Sequence, residues 1–519
     1  MLFRSFSRRF ERSRSAPVKH DPVHSPVVDM HLMPTNPAAP MVPPGLLSAS
    51  LQYGVVARSH PVTGKILRGY FDAAGTQNGL GVGNPNAEFS PDVSKCALTS
   101  DGGTGKILWG LRDGTVAVTT APKAFDTSRV SVGGKWAKCS PADKHVGSVE
   151  GAVWAGGFSG HCVTCSVDGR VKLWNGKSLM CLWSSEKPKV PTPCVKVAVD
   201  HGSGVLASVT HTGQILVWTG LETLFISDAI VDEANLPVRQ FILTAPPRAV
   251  APLPSADGSS PAREISAFYL HCPSDDIISL ISVYHNDSHF YRTTLNSCTG
   301  DVERRPYGDG QTGTITALEP VFGPANTSFV IVGDQLGYVA VYPWTDTCPA
   351  SSVASIHRFE AHSSGSVSAI KWTPTVLVTG SSNGSAEVWD SLDFSHLRSF
   401  ASVGLRPTER VWDPVSRIIV VKDLVVLSVG TKVMAWRAGP VGTTVRKGKQ
   451  LKMSAKSSNS VAKWQRECFV LLISSSLTLY SRRSSWVVQR HCGLPARARE
   501  RAKLHTPRTR TRARTADAA

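Results

Sequence analysis

The sequence has no long apolar run, and this absence limits what the chain can be. Its longest such stretch, near Cys468 to Tyr480, is interrupted by Ser474, Ser475 and Ser476. That is too short and too polar for a membrane-spanning helix, which needs about 20 apolar residues. No hydrophobic signal segment opens the sequence, and the 11 cysteines are an odd number scattered through 519 residues. Both features favour reduced thiols in an intracellular protein, in the cytoplasm, the nucleus or both.

Motifs for catalysis are also missing from the sequence. It has no HExxH, no P-loop GxxxxGK[ST] and no Ser-His-Asp order, and Gly81-Val-Gly83 lacks the third glycine of a dinucleotide site. One CxxC runs from Cys162 to Cys165, but zinc needs two further ligands at suitable spacing. Residues three apart in a strand point to opposite faces, so we interpret these cysteines as buried apolar side chains. We expect no enzyme activity, no cofactor and no metal.

The net charge of +17 is concentrated at the two ends of the chain. Residues 441–519 hold 18 Lys and Arg against three acidic residues, and residues 1–50 hold six against three. Residues 51–440 are therefore close to neutral and have no electrostatic reason to bind nucleic acid. We predict a disordered, basic and Pro-rich leader over 1–50, a folded region over 51–440, and a basic low-complexity tail over 441–519. Three interpretations of the tail stay open: an arm for nucleic acid or an acidic partner, a plain disordered tail, and sequence that is not native.

The folded region repeats one unit: an apolar strand, a tight polar turn with Gly or Asp, and a second strand that often ends in an aromatic residue. Val, Ile and Leu favour strands, and Asp-Gly or Asn-Gly pairs supply the positive φ of tight turns. The spacing is regular, because Trp174 to Trp218 is 44 residues, while Tyr342 to Trp389 and Trp389 to Trp436 are 47 each. A period in the middle forties with four short strands per unit is typical of propeller blades.

The best copy of the unit resembles the WD40 repeat. It runs from Ala361-His362 through an apolar strand and Pro374 to Trp389-Asp390. In that family a Gly-His pair opens the unit and a Trp-Asp pair closes the third strand. This copy departs from that pattern only at Ala361, which stands in place of the Gly. The resemblance implies an all-β, WD40-type β-propeller. We predict seven blades, with hairpins centred near Gly114, Gly169, Gly213, Asp287, Gly337, Gly384 and Gly430.

Two further segments complete this prediction. A propeller needs a last strand that joins the start of the chain to the final blade, and Leu51 to Tyr70 or Phe71 is the expected strand. Residues 219 to about 262 interrupt the rhythm and are interpreted as an insertion, part strand and part loop.

The repeat assigns structural roles to several conspicuous side chains. The resemblance implies that His362 joins a hydrogen-bond network with a Ser or Thr and the third-strand Trp, and does not act in catalysis. Asp113 and Asp168 are expected to accept hydrogen bonds from nearby backbone amides in their turns. The other predicted structural blade residues are Trp174, Trp218, Trp389, Asp390 and Trp436.

Partner binding is expected on the rim of turns at one end of the propeller. In the WD40 arrangement the turns between second and third strands lie there. The predicted partner-binding residues are Arg112, Arg170, His211, Gln214 and Tyr338. Arg and Tyr are favoured at interface hot spots. The alternative for each is a solvated turn residue.

Two stretches also resemble the fungal F-box/WD-repeat proteins. They are residues 106–126 and residues 150–175, followed much later by residues 460–464. In that family the propeller recruits a substrate, and an N-terminal F-box docks the chain onto a Skp–cullin ubiquitin ligase. Residues 1–50 depart from the family, because they lack the roughly 40 to 50 mostly helical residues of an F-box. The expected function is a protein-interaction scaffold, as the substrate-recognition module of a ubiquitin ligase. The alternative is a scaffold in RNA or ribosome assembly that uses the basic tail.

Overall fold

The computed structural model describes most of residues 18–438. The described ranges are 18–23, 25–33, 45–52, 54–73, 92–101, 104–121, 135–156, 160–190, 192–226, 237–247, 249, 263–323, 327–344, 352–401 and 412–438. All of them belong to the first of two compact units, residues 1–449. The second unit, residues 450–519, lies outside the described residues, as do residues 1–17. The expected structures of the basic tail and of the first part of the leader fall on these residues.

The described strands form eight antiparallel sheets of four strands each, here called blades 1 to 8. Blade 1 contains β2 (Asp29–Met33), β3 (Gly45–Ser50), β4 (Val55–Ser59) and β5 (Ile66–Asp72). Blade 2 contains β6 (Val93–Asp101), β7 (Thr104–Leu111), β8 (Val116–Ala121) and β9 (Lys135–Lys138). Blade 3 contains β10 (Val149–Gly156), β11 (His161–Ser166), β12 (Val171–Trp174) and β13 (Cys181–Ser184). Blade 4 contains β14 (Cys194–Asp200), β15 (Val205–Thr210), β16 (Ile215–Thr219) and β17 (Arg239–Leu243).

The other four blades continue the same order. Blade 5 contains β18 (Ile265–Ser274), β19 (Ile277–Tyr284), β20 (Phe290–Asn296) and β21 (Val302–Tyr307). Blade 6 contains β22 (Ile315–Val321), β23 (Phe329–Asp334), β24 (Tyr338–Pro343) and β25 (His357–Glu360). Blade 7 contains β26 (Val367–Trp372), β27 (Val376–Ser381), β28 (Ala386–Asp390) and β29 (His396–Phe400). Blade 8 contains β30 (Val415–Val421), β31 (Leu424–Val429), β32 (Lys432–Arg437) and, as its fourth strand, β1 (Val18–His20).

The sheets are arranged around a closed ring. The first strands of neighbouring blades contact each other in a series that runs from blade 1 to blade 5 and from blade 6 through blade 8 back to blade 1, where β30 contacts β2. Between blades 5 and 6 the link is a hydrogen bond of 2.9 Å from the Tyr269 hydroxyl to the Leu318 carbonyl oxygen. The first strands are therefore the innermost ones. The molecule is an all-β β-propeller, as the sequence predicts.

The predicted number of seven blades is wrong, because the described residues form eight. All seven predicted hairpins join second and third strands, and the eighth hairpin joins β3 and β4, where the Gly54 amide donates to the Leu51 carbonyl oxygen. Residues 51–71 therefore supply the third and fourth strands of blade 1, together with β2 and β3 from upstream, and do not supply the final strand that closes the ring. The third strand of blade 1 ends in Ser59, where five other blades carry an aromatic residue at or next to the end, so blade 1 lacks this part of the repeat pattern.

Closure of the ring comes from a strand upstream of the predicted one. Val18, Lys19 and His20 pair with Ala435, Met434 and Val433 of β32. The backbone of Val27 then donates to the carbonyl oxygen of Gly430 at 2.9 Å. The two ends of the described chain are thus joined by backbone hydrogen bonds in one sheet.

The hydrophobic core is divided among the spaces between blades. Eight clusters of buried side chains occur in the described residues, and each joins two neighbouring blades. The cluster between blades 8 and 1 contains Val426 and Val433 with Leu46 and Val55. Each fully buried side chain of this kind contributes about 1.5–3 kcal/mol by leaving water. No blade can bury both of its apolar faces alone, so the closed ring is the cooperative unit.

A repeated contact fixes the spacing of blades near the axis. Seven first strands carry a bulge one residue after they begin. The bulge residues are Ser94, Glu150, Val195, Ser266, Thr316, Ser368 and Ser416. The Ser368 hydroxyl donates to the carbonyl oxygen of Val415 in the next blade at 2.8 Å, and the side chain of Val415 lies against Gly380. Equivalent hydroxyl bonds to the following blade are made by Ser94, Thr316 and Ser416.

The predicted insertion after residue 219 contains part of blade 4. Its described residues include α1 (Glu222–Ile226) and β17, which pairs along its whole length with β16. Residues 227–236, 248 and 250–262 lie outside the described residues.

Candidate partner-binding face

The predicted binding residues lie at one end of the propeller. We call this end the turn face: it is where first strands begin and where second and third strands are joined. Arg112, Arg170, His211, Gln214 and Tyr338 all lie in or beside such turns, in blades 2, 3, 4, 4 and 6. The fold therefore brings them to one face, and whether they bind a partner stays a prediction.

Not all five are equally free to bind. The guanidinium of Arg358 lies over the Tyr338 ring at 4.2 Å, so that ring is engaged within its own blade. Gln214 is half-buried, and its backbone amide donates to Thr210 Oγ1. Arg112 and His211 are exposed and Arg170 is half-buried.

Aspartates hold the turns of this face in shape, in agreement with their predicted structural role. Asp113 accepts a bond from the Thr115 amide at 2.9 Å, and Asp168 accepts bonds from the amides of Arg170 and Val146 at the same distance. Asp390 stabilises a turn at the opposite end, where its carboxylate accepts from the Leu392 amide at 2.9 Å. These three carboxylates accept hydrogen bonds from backbone amides and so stabilise the turns.

A buried network of four side chains stabilises blade 3. Trp174 Nε1 donates to Thr164 Oγ1 at 2.8 Å, and Thr164 Oγ1 lies 2.8 Å from His145 Nε2. His145 Nδ1 lies 3.3 Å from Asp168 Oδ2. Burial lowers the pKa of His145, although Asp168 opposes this effect. Burial raises the pKa of Asp168, but the hydrogen bonds from His145 and two amides outweigh it and hold the value at about 2. A neutral imidazole that donates to a carboxylate satisfies all four groups.

The sequence places this kind of network in blade 7, at His362, and the structure differs there. Trp389 Nε1 donates to Thr379 Oγ1 at 3.1 Å, as expected. His362 is buried, but its Nε2 has no hydrogen-bond partner among the described residues. Burial lowers its pKa to about 4. The complete network therefore lies around His145, which the sequence does not single out because no Trp-Asp pair follows it.

The predicted structural tryptophans are all buried. Trp174 and Trp218 lie in the clusters beside blades 3 and 4, Trp389 lies between blades 6 and 7, and the Trp436 ring stacks on Phe400 at 3.7 Å between blades 7 and 8. Their rings contribute packing area that no partner can reach.

The cysteines of the CxxC stretch lie in different cores. Cys162 packs between blades 2 and 3, and Cys165 packs between blades 3 and 4. Burial raises the pKa of both thiols. No group of three His, Cys, Asp or Glu residues suited to a metal occurs within the part of the chain that the structure describes.

The inner strands carry charged pairs that bridge blades. Arg417 Nε lies 3.4 Å from Asp29 Oδ1 across blades 8 and 1, and Lys371 Nζ lies 2.6 Å from Glu319 Oε1 across blades 7 and 6. Burial raises the pKa of Asp29 and of Glu319, and the paired cation opposes the effect in each case. These four charges are therefore already compensated.

A cavity of about 680 Å³ opens on the turn face across blades 1 to 3. It is lined by Leu51, Gln52, Val93, Ser94, Arg112, Ser148 and Glu150. Its volume is in the range of small-ligand and side-chain binding sites. Arg112 is the one predicted binding residue that lines it. The others in this set are not conspicuous in sequence, apart from Glu150, which occupies a bulge position where five blades have Ser or Thr.

Exposed apolar side chains lie near this cavity and farther along the same face. They are Val28, Val146, Val190, Leu336 and Trp412, in the connections and turns of several blades. Val146 is 78% exposed and Val190 is 73% exposed. Neither contributes much to the folded core, so both are available to a partner.

Comparison with known proteins supports the fold. No family model matches the sequence, and no curated protein matches it either. Among solved structures, the computationally designed Ika8 protein matches with a TM-score of 0.50 and 17% identity, over 81% of this chain and 98% of that one. Sqt1 of Saccharomyces cerevisiae matches with a TM-score of 0.52 and 13% identity, over 80% and 97%.

A second Sqt1 is similar to the same extent. Sqt1 of Chaetomium thermophilum, bound to the N-terminus of the ribosomal protein L10, matches with a TM-score of 0.53 and 12% identity, over 81% of this chain and 98% of that one. At these identities the likeness establishes the β-propeller fold and nothing finer. None of the described helices has the length and apolar character to cross a membrane.

Proposed function

We propose that this chain is a non-enzymatic scaffold of the WD40 type that binds a partner protein on its turn face. The observation that carries the proposal is the combination, on one face, of exposed apolar side chains with an open polar cavity. Apolar anchors beside polar groups are the usual composition of a protein-binding surface. Intracellular location is part of the same proposal, and imaging of a fluorescently tagged chain tests it.

The test compares two matched pairs of substitutions in the full chain. Val146→Asp with Val190→Asp places charge on the turn face. Ile226→Asp with Leu392→Asp places it on the opposite face, at side chains that are 85% and 57% exposed. Each variant is used as bait for affinity purification with mass spectrometry. We expect partners to be lost only with the turn-face pair, because burying an unpaired carboxylate at an interface costs several kcal/mol. Loss with the other pair alone contradicts the proposal.

A scaffold in ribosome assembly is the second candidate. It is favoured by the likeness to Sqt1, which is bound to a ribosomal protein in the Chaetomium thermophilum structure. Ribosomal proteins among the captured partners would support it. Repeating the purification with a chain that ends at residue 440 tests whether the basic tail contributes.

Membership of a Skp–cullin ubiquitin ligase is a finer proposal that rests on the sequence resemblance alone. None of the comparisons supports it. Skp and cullin subunits in the same purification would support it, and their absence under conditions that retain other partners counts against it.

A further inference from the structure

Two opposite charges face the turn-face cavity without pairing. Arg112, which is exposed, lines the cavity from the turn between β7 and β8, and Glu150, which is half-buried, lines it from the start of β10. No ion pair or side-chain hydrogen bond to either group occurs among the described residues, although eight ion pairs of Lys or Arg with Asp or Glu occur elsewhere in them. Lys95 and Glu150 both act electrostatically on the Cys165 thiol, yet no ion pair joins them. The cavity thus holds one free cation and one free anion of the described surface.

Among the described residues, the carboxylate of Glu150 makes no hydrogen bond or ion pair that joins two blades. At the equivalent bulge positions, Ser94, Thr316 and Ser368 each donate a hydroxyl hydrogen to the next blade. A carboxylate has no hydrogen to donate at neutral pH, so Glu150 cannot make that contact. A residue that departs from the repeat, loses the structural bond and faces an open cavity is better explained by recognition than by folding.

We propose that this cavity binds a partner peptide segment that carries a basic side chain for Glu150 and an acidic side chain for Arg112. The inference rests on the proposed function and names its partner chemistry. Gln52 and the hydroxyl of Ser148 line the same cavity and offer further hydrogen bonds to such a segment. Exposed Val28 and Val146, on either side, offer it apolar contact.

Desolvation gives the site its selectivity. While the cavity is open, water compensates both charges. When a segment covers the cavity, Glu150 is the more deeply covered charge, because it is half-buried already while Arg112 is exposed. A covered carboxylate needs a cation, and a neutral or acidic side chain at that point leaves it unpaired. The basic residue of the segment therefore determines affinity, and the acidic one mainly determines its direction across the face.

The experiment selects peptides and then reverses the charges. A random peptide library displayed on phage is selected on the full chain, and the enriched peptide is synthesised. We expect a basic and an acidic residue at a fixed separation. Glu150→Gln is expected to weaken binding about tenfold, and Arg112→Gln about two- to fivefold. Glu186→Gln, an exposed carboxylate on the same face outside the cavity, is the matched control and is expected to leave binding unchanged.

Charge reversal provides the sharper outcome. Selection on the double variant Arg112→Glu with Glu150→Arg is expected to enrich peptides in which the two charges have exchanged places. Enriched peptides without the charge pair overturn the inference, as do peptides whose affinity is indifferent to both neutral variants. If such peptides are still lost with Val146→Asp and Val190→Asp, the proposed turn-face function stands while the charge-pair inference fails. If neither set of variants matters, both fail.

Discussion

Gly380 provides a direct test of how neighbouring blades are spaced. A Cβ atom added there would lie 2.5 Å from both Cβ and Cγ1 of Val415 in the next blade. Ordinary contact begins at 3.4 Å. Valine cannot rotate its own Cβ away, and its χ1 is stiff. Gly380→Ala therefore requires blades 7 and 8 to separate by about 1 Å, the difference between these two distances.

The expected cost follows from two terms. Overpacking of this kind costs about 1–3 kcal/mol. Separation also lengthens the 2.8 Å bond from the Ser368 hydroxyl to the Val415 carbonyl oxygen, which is worth about 1 kcal/mol. We expect the free energy of unfolding to fall by about 2–4 kcal/mol, from the sum of these two terms.

Urea unfolding, followed by tryptophan fluorescence, measures this effect. The midpoint is expected to fall while the slope m stays constant, because the surface exposed on unfolding does not change. Gly202→Ala is the control, since its added Cβ meets only Asp200 Oδ1, at 3.4 Å. Equal midpoints for the two variants would refute the reasoning that Gly380 sets the blade spacing.

Three further predictions concern the buried histidine, the blade 3 network and the closing strand. Burial lowers the pKa of His362 from 6.5 to about 4, so the folded state resists protonation of this side chain. The free energy of unfolding is therefore highest above pH 6.5 and falls by up to about 3 kcal/mol as the pH drops toward 4. A plot of the urea midpoint against pH should be flatter for His362→Gln than for the unchanged protein in this pH range. Thr164→Ala leaves the His145 and Trp174 groups without their partner and should cost about 2 kcal/mol or more, whereas Thr164→Ser should cost little; similar midpoints for both variants would count against the network. Removal of residues 1–20 takes away Val18–His20 and should lower the melting temperature clearly, while removal of residues 1–17 should not, and equal melting curves would show that the closing strand is dispensable.

Local chemistry was sufficient to predict hairpins. The seven predicted turns contain Gly or Asp at the positions where the chain needs a positive φ or a carboxylate that accepts from the backbone, as at Gly169 with Asp168. Apolar strands and regularly spaced aromatics then indicated a propeller. These signals act within a few residues of each other, so they are visible in one sequence.

The repeat pattern did not detect blade 1, because its strands depart from the pattern in spacing and in residue type. Its strands β2 and β3 are separated by residues 34–44, and its third strand ends in Ser59. The hydroxyl of Ser59 lies 2.9 Å from His20 Nε2, so a polar contact with β1 occurs at the end of that strand, where five other blades have an aromatic ring. The Pro-rich composition of the leader excluded helices but did not exclude short strands.

The sequence predicted only one of the two charged residues that line the turn-face cavity. Arg112 was found because its turn belongs to a recognisable hairpin. Gln52 and Glu150 were not, because the cavity is formed by three blades, and 98 residues separate them in the chain. Only the tertiary arrangement brings such residues together.

The strand-turn-strand unit, its repetition and the positions of most turns could be predicted from the sequence alone, as could the near-neutral charge of the folded region. Each of these depends on residue type and local spacing. The tertiary structure decided the number of blades, the strand that closes the ring and the pairing of charges across blades. These depend on which distant segments share a sheet or a core, and closure is a condition on the whole ring that no single repeat contains.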